Sequence, residues 1–156
     1  MSIVPKWWLI PITEENWYIV ERTNTYGAPS KSPRKPWKKI RKGDFIIFYI
    51  KKKKSNKLGG FIVGVYKVMS DWFNNKEFLW PDERENFEVI YPWKVKIKKI
   101  LRGYVEFEKL IFRFKFIKDT HMYSLYLRGT PANRGRPLPK EDVDIILKAL
   151  ISKYSM

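Results

Sequence analysis

The sequence predicts an α+β fold, a small twisted β-barrel with helices packed around it. Short stretches of apolar or alternating residues are separated by turn residues, which is typical of strands joined in hairpins. Helical periodicity is confined to one stretch near the N-terminus and one at the C-terminus. The length of 156 residues suits one domain, so we predict a single domain over residues 1–156.

The first two elements are a strand and a helix. The stretch WWLIPI at Trp7–Ile12 is apolar and accompanied by prolines, which favours a buried strand. Thr13, with Glu15 and Asn16 behind it, resembles a capped helix start, and apolar residues follow at helical spacing. Residues 24–39 are rich in Pro, Ser and Lys and are predicted to form a loop.

A hairpin is predicted next. The stretch DFIIFYI is one strand, FIVGVYKVM is the returning strand, and the Lys run 51–54 with SNKLGG forms the turn. The Lys run has two possible roles. It can contact a polyanion, or it can be a solvated turn that protects an edge strand from pairing. Residues 70–90 have weak periodicity and are predicted to be an irregular excursion, a feature that is usually functional in small domains.

The last elements are two strands, a loop and a helix. YPWKVKIKKI alternates, which predicts a half-buried strand with Trp93, Val95 and Ile97 inside and a basic outer surface formed by Lys94, Lys96 and Lys98. Tyr123–Leu127 is predicted to be a strand and residues 128–139 a basic loop. Residues 140–154 are predicted to be a helix with an apolar stripe.

Charge limits the function classes. The chain has 32 Lys and Arg against 16 Asp and Glu, a formal net charge of +16, which favours a polyanionic partner and above all nucleic acid. A Lys-rich composition is also common in proteins encoded by AT-rich or thermophilic genomes, which is an alternative explanation of the net charge. The basic residues fall in predicted strands and loops, whereas an anionic membrane surface would require a basic amphipathic helix.

Several chemistries are not supported by the residue types present. There is no Cys, and His121 is the only His, so we predict no metal site and no cofactor. The longest apolar runs are far shorter than the ~20 residues of a membrane span, and we expect a cytoplasmic protein without membrane contact. No nucleotide-binding loop, nucleophile elbow or zinc deaminase motif is present, so we predict no catalytic residues and no enzyme activity.

Three motifs in this order resemble the EVE domain family of the PUA-like superfamily, which also contains the YTH domains. They are ENW at Glu15–Trp17, GD followed by an apolar strand at Gly43–Tyr49, and YP at Tyr91–Pro92. The resemblance covers nearly the whole chain. It implies a reader of DNA or RNA that holds a flipped, methylated adenine or cytosine in an aromatic pocket.

The resemblance also implies candidate pocket residues. Asn16 matches the amide that bonds the base edge in YTH domains, although helix capping is its structural alternative. Tyr26 stands where many members have Trp and is the first wall. Trp80 is the second wall, with Trp72 as its competitor. Tyr91 lies close to the family's pocket, and Ser124 is a further candidate ligand contact together with His121.

Other aromatic and basic residues have different expected roles. Trp8 and Trp17 are predicted to be core residues, whereas Trp37 is predicted to be exposed. The candidate phosphate contacts lie in the two basic loops: Lys31, Arg34, Lys35, Lys38, Lys39, Arg128, Arg134 and Arg136.

The resemblance leaves three roles open. One is the targeting domain of a modification-dependent restriction system of the McrBC type, fused to or associated with an AAA+ motor and a nuclease. The second is an RNA-binding accessory module of an RNA-modification enzyme. The third is a nonspecific polyanion binder that has no pocket.

Overall fold

Two parallel strands begin the sheet, and four antiparallel pairings complete it. The computed structural model describes residues 4–28, 36–77 and 79–154. The described strands are β1 (Trp7–Ile12), β2 (Thr25–Ala28), β3 (Phe45–Ile50), β4 (Phe61–Val68), β5 (Phe73–Asn74) and β6 (Trp93–Glu106). The helices are α1 (Glu14–Thr23), α2 (Pro81–Asn86), the single turn α3 (Ala132–Gly135) and α4 (Lys140–Tyr154).

The sheet has the strand order β1-β3-β4-β6-β2, and β5 also pairs with β6. β1 is parallel to β3, with Trp7 opposite Phe45 and Ile12 opposite Ile50. The long strand β6 pairs with β4, β2 and β5 along its length, and this pairing curls the sheet into a half-barrel. The predicted α+β class, with helices packed on a curled sheet, is confirmed.

Both faces of the sheet are buried. Along β1, Trp8, Ile10 and Ile12 face one core, which also contains Trp17 of α1, while Leu9 faces a second core with Ile146 of α4. A parallel strand that is buried on both faces carries apolar residues throughout, and this explains the uninterrupted WWLIPI stretch. The prediction that Trp8 and Trp17 are core residues is confirmed, since each is 1% exposed.

The local elements with strong patterns are where the sequence predicts them. β1, the capped helix α1, the β3–β4 hairpin and the closing helix α4 are all confirmed. The Thr13 hydroxyl caps α1 by accepting the Asn16 N–H at 3.3 Å. On α4 the buried stripe contains Val143, Ile146 and Leu150. The excursion at residues 70–90 holds β5 and α2, so it is more regular than expected.

Two secondary-structure predictions are wrong. Thr25–Ala28 is not a loop but strand β2, because its backbone pairs with Val95 and its neighbours on the distant strand β6. Tyr123–Leu127 is not a strand but part of a 3-10 helix over Thr120–Leu127, which Asp119 caps by accepting the His121 N–H at 3.1 Å.

Two burial predictions are also wrong. Trp37 is fully buried instead of exposed, because its ring packs on Trp72 at a centroid distance of 4.5 Å. Lys94 is 1% exposed, although the alternation of β6 placed it on the basic outer face with Lys96. Its ammonium donates to the carbonyl oxygens of Asn75 and Glu77, which replace the water that a buried charge would lose.

A buried carboxylate holds the hairpin turn against α1. Glu14, at the first position of α1, accepts the backbone N–H groups of Asn56, Lys57 and Leu58 at 3.3, 3.0 and 2.6 Å. Burial acts to raise the pKa of Glu14, but these three hydrogen bonds and one from Tyr18 lower that pKa below its usual value.

Glu14→Gln is therefore expected to lower the free energy of unfolding by about 2 kcal/mol at neutral pH, since the bonds to a charged acceptor are weakened. Because the folded pKa is depressed, this contribution is present above the unfolded pKa of about 4.3 and is lost as pH falls through the folded pKa. Denaturation at pH 7 and pH 3 tests this. The gap between wild type and variant should narrow at pH 3, and a constant gap would contradict the assignment. Glu15→Gln, exposed on the same turn, is the control.

Candidate functional site

A cavity of about 210 Å³ lies where the parallel strands β1 and β3 end. We call it the base pocket, after the ligand that the family resemblance predicts. Pro11 and Ile12 at the end of β1 line it, as do Thr13 and Lys51, which directly follow β1 and β3. The remaining lining residues are Asn16, Tyr26, Gly27, Trp80, Ile90, Tyr91 and Thr130. The cavity is smaller than the ~300–1,000 Å³ of sites for drug-sized ligands, which suits one flat ring system.

The start of α1 places an amide on the base pocket. The Thr13 hydroxyl is occupied by the Asn16 backbone N–H, so the Asn16 side chain is not needed as the helix cap. Asn16 is 9% exposed and its amide bonds the Tyr91 hydroxyl. An amide offers both a donor and an acceptor, which is the combination required to read the edge of a base.

Strand β2 supplies Tyr26 as one wall of the base pocket, and Gly27 on the same strand allows Trp80 and Tyr91 to approach its backbone closely. Tyr26 is 5% exposed, its hydroxyl bonds Thr130, and burial raises the pKa of this phenol, so it remains a neutral donor. At Gly27 an added Cβ would lie 2.9 Å from both Trp80 Nε1 and Tyr91 Cβ. A glycine at this position therefore lets both aromatic residues pack directly on the strand.

One buried carboxylate holds both ends of the opposite wall. Glu83 of α2 is 0% exposed. Its Oε1 accepts the N–H groups of Leu79 and Trp80 at 3.2 and 3.3 Å, and its Oε2 accepts those of Ile90 and Tyr91, both at 2.9 Å. Four donors on one buried carboxylate make this wall preorganised.

The two rings on this wall differ in their polar groups. The Tyr91 hydroxyl donates to Asp82 at 2.5 Å, and burial together with this bond raises the pKa of Tyr91. Trp80 is 2% exposed, and its indole N–H has no hydrogen-bond partner among the described residues. A buried unpaired donor is rare and costs free energy, and this one packs against the backbone of Gly27.

A basic groove adjoins the base pocket. Its volume is about 720 Å³, and it shares Pro11, Lys51 and Thr130 with the pocket. Lys53 and Arg128 also line it and are exposed. Lys52 is less available, because its ammonium is paired with Glu108.

The structure brings four of the six predicted pocket residues together: Asn16, Tyr26, Trp80 and Tyr91. Ser124 lines the basic groove instead. Trp72 lies outside the base pocket, because its ring packs on Trp37 and its indole N–H donates to the Ile40 carbonyl at 3.0 Å. Of the two competing tryptophans, Trp80 is therefore the one on the pocket wall. That these residues contact a base stays a prediction.

The predicted phosphate contacts are spread over several surfaces. Arg128 lines the groove beside the base pocket. Lys39 and Arg136 line a different cavity at the other end of β1, Lys38 lies over the Trp93 ring at 6.0 Å, and Arg134 is exposed on α3. Lys31, Arg34 and Lys35 lie outside the described residues.

Sequence reasoning missed the supporting residues of the pocket. Glu83, Gly27 and Thr130 were not singled out as site residues, and Lys51 was considered only as part of the Lys run 51–54. A weak signal existed for Glu83, since Trp-Pro-Asp-Glu is a helix start with the carboxylate three residues after the cap position. No local signal shows that it also bonds the backbone of Tyr91.

Two features are absent from the residues that the structure describes. Within residues 4–28, 36–77 and 79–154, no group of three or more His, Cys, Asp or Glu side chains is arranged to hold a metal ion. In the same part of the chain, no helix combines the length and the apolar character that crossing a membrane requires.

Comparisons of sequence agree on one family. The model of the EVE domain matches residues 6–149. A UPF0310 protein of Saccharolobus solfataricus is 33% identical over 144 residues, which covers 92% of this chain and 94% of that protein.

Comparisons of structure agree on the fold. The Mmi1 YTH domain superposes with a TM-score of 0.61 at 14% identity, covering 100% of this chain and 94% of that one. The Pho92 YTH domain, solved in complex with m6A, superposes with a TM-score of 0.56 at 16% identity, covering 95% of this chain and 89% of that one. At these identities the likeness shows a shared fold.

Proposed function

Because the chain belongs to the EVE domain family, whose model matches nearly all of it, we propose that it is a nucleic-acid reader whose base pocket holds one flipped, methylated base. The observation that carries this proposal is the convergence of Asn16, Tyr26, Trp80 and Tyr91 on a single small cavity beside a basic groove. The m6A complex of the similarly folded Pho92 domain is consistent with it.

The aromatic walls supply the affinity for a flipped base. Unstacking a base costs a few kcal/mol, and contact with an aromatic ring returns roughly 1–3 kcal/mol per base. A methyl group that leaves water for such a site adds about 0.8 kcal/mol. The Trp80 ring is held in place by Glu83 and Gly27, so little entropy is lost when a base enters.

Polar groups around the pocket are suited to reading the base edge. Asn16 and Thr130 lie on the lining, and an amide and a hydroxyl can each donate and accept a hydrogen bond. A site built to hydrogen-bond the edge of a base discriminates strongly against ligands that lack the matching groups.

The basic groove is the proposed path of the sugar-phosphate backbone. Lys51 lies at the junction of the pocket and the groove, and Lys53 and Arg128 continue it. Contacts of this kind contribute affinity that depends on salt and not on the identity of the base.

We propose a binding module and not an enzyme, with DNA or RNA as the partner and a methylated adenine or cytosine as the base. Association with an AAA+ motor and nuclease stays a prediction from the family resemblance. The accessory role in an RNA-modification complex is the alternative, and a neighbouring coding region for a motor or a methyltransferase would distinguish them.

The experiment measures binding of short DNA and RNA strands, each with or without one N6-methyladenine or 5-methylcytosine, over a range of salt concentrations. Wild type is expected to prefer one modified strand by about 1 kcal/mol or more. Asn16→Ala should reduce affinity for that strand about tenfold, since it removes a bond to the base edge, and should leave the salt slope unchanged. Glu15→Ala, exposed on the same helical turn, is the control.

The alternatives give different results. If all strands bind equally and only salt changes affinity, the protein is a nonspecific polyanion binder. If a modified strand is preferred but Asn16→Ala binds it as tightly as wild type does, the base edge is read by other residues.

A further inference from the structure

A second cavity, of about 520 Å³, lies at the opposite end of the parallel strands and is not used by the proposed reader site. We call it the basal pocket. Apart from Trp8, the residues around β1 and β3 that line it precede those strands, whereas the base pocket is lined by the last two residues of β1 and by residues that follow β1 and β3. Strand β1 has six residues, which corresponds to about 20 Å of extended chain.

The basal pocket concentrates positive charge. Five cationic side chains line it, Lys6, Lys39, Arg41, Lys42 and Arg136, and all five residues are exposed. The one carboxylate on the lining, Asp44, is 5% exposed. Within the part of the chain that the structure describes, none of the five cations forms an ion pair with a carboxylate.

Asp44 holds segments of the basal pocket together, because both of its carboxylate oxygens accept hydrogen bonds. Its Oδ1 accepts the Lys6 backbone N–H at 3.1 Å. Its Oδ2 accepts the Trp8 indole N–H at 2.9 Å and the Arg41 backbone N–H at 3.0 Å. The carboxylate therefore fixes two cation-bearing segments, and its single negative charge is outnumbered by the five cationic side chains on the lining.

A third segment closes the pocket through two more bonds. Lys39 Nζ donates to the Gly135 carbonyl at 3.5 Å, and the Leu138 N–H donates to the Trp7 carbonyl at 2.8 Å. Each pair among the three segments is thus tied by a hydrogen bond. The cations are presented by a preorganised frame and not by a single exposed loop.

The lining also has an apolar part. Trp8, Pro5 and Pro137 lie on it, beside the cations. The volume falls in the usual range of about 300–1,000 Å³ for small-molecule sites. Trp8 is itself buried, but the exposed residues Val4 and Pro5 give an apolar surface for the face of a base, and the Lys and Arg side chains match phosphate groups. The lining therefore suits a nucleotide.

We infer that the basal pocket is a second, separate binding site for a phosphate-bearing nucleotide unit. The unit is either a free nucleotide or part of a nucleic-acid strand. This inference does not depend on the base pocket, because no residue is shared between the two linings.

The test follows the indole N–H resonances of two tryptophans by NMR during titration. Trp8 reports the basal pocket, since its N–H bonds Asp44, and Trp80 reports the base pocket. The probes are adenosine 5′-monophosphate, inorganic pyrophosphate, adenosine and an unmodified oligonucleotide. The monophosphate and pyrophosphate are expected to shift the Trp8 resonance in a saturable way, whereas adenosine should not.

The variant is the double substitution Arg41→Gln with Lys42→Gln, which removes two cations and keeps the Arg41 backbone bond to Asp44. It should weaken binding of the monophosphate about tenfold or more. The control Lys115→Gln with Lys118→Gln removes the same charge from exposed residues that line none of the described cavities. It should change binding less than about twofold.

The titration distinguishes a free nucleotide from a nucleic-acid strand, and it distinguishes failure of the basal pocket from failure of the base pocket. If the oligonucleotide saturates the Trp8 shift at lower concentrations than the monophosphate, the natural ligand is a strand; the reverse order indicates a free nucleotide. No saturable Trp8 shift with any probe, or equal weakening in the control, overturns the inference. The Trp80 resonance reports independently on the base pocket, so failure of one site leaves the other measurable.

Discussion

Glu83→Gln is expected to lower the free energy of unfolding by about 3 kcal/mol, because one carboxylate oxygen that accepts two buried N–H groups becomes an NH₂ group. The side chain is 0% exposed and bonds Leu79, Trp80, Ile90 and Tyr91. The substitution conserves volume, so a cavity does not contribute to the loss.

The same change is expected to weaken base binding by at least tenfold, since Trp80 and Tyr91 lose the group that holds both. Lys94 is affected too: burial lowers its pKa, and the negative charge of Glu83 opposes that lowering. Without this charge, the pKa of Lys94 should fall further.

Chemical denaturation and strand binding at a temperature where both proteins are folded test the Glu83 prediction. Glu85→Gln, exposed on the same helix, is the matched control and should behave like wild type. A Glu83→Gln protein with unchanged stability would show that the four bonds contribute little. Normal stability with normal binding would also remove the preorganised wall from the proposed mechanism.

Trp80→Ala is expected to have the second large effect, on both stability and selectivity. Truncating a buried Trp costs about 3–5 kcal/mol, because the ring is lost and a cavity remains. The preference for the methylated strand should disappear, since the wall proposed to contact the base is gone. The dependence of affinity on salt should remain, because the basic groove is unchanged.

Trp72→Ala separates a loss of selectivity from a loss of stability. Its ring packs on Trp37 and lies outside the base pocket, so the variant should be destabilised yet keep the preference for the methylated strand. Binding is measured at a temperature below both unfolding transitions. If Trp72→Ala abolishes the preference and Trp80→Ala keeps it, the assignment of the wall is reversed.

Predictions from the sequence agree with the structure where the interactions involved are between residues close together in the chain. β1, α1, the β3–β4 hairpin and α4 are each defined by a pattern within one stretch, such as the Thr13 cap and the stripe of α4. The family resemblance pointed to Asn16, Tyr26, Trp80 and Tyr91, and the structure brings these four together.

Features that depend on distant partners were not predictable in this way. β2 becomes a strand only because β6 offers Val95 and its neighbours as partners. Lys94 is buried because Asn75 and Glu77 supply carbonyl oxygens, and no alternation along β6 contains that information.

By itself, then, the sequence determined the local elements, the positive charge and the residue types needed to hold a base. The tertiary structure decided which rings form the pocket wall, that Trp37 and Trp72 pack on each other, and that Glu83 connects Trp80 to Tyr91. The physical reason is that buried polar groups and rings must find partners wherever the fold brings them, and these partners lie far apart along the chain.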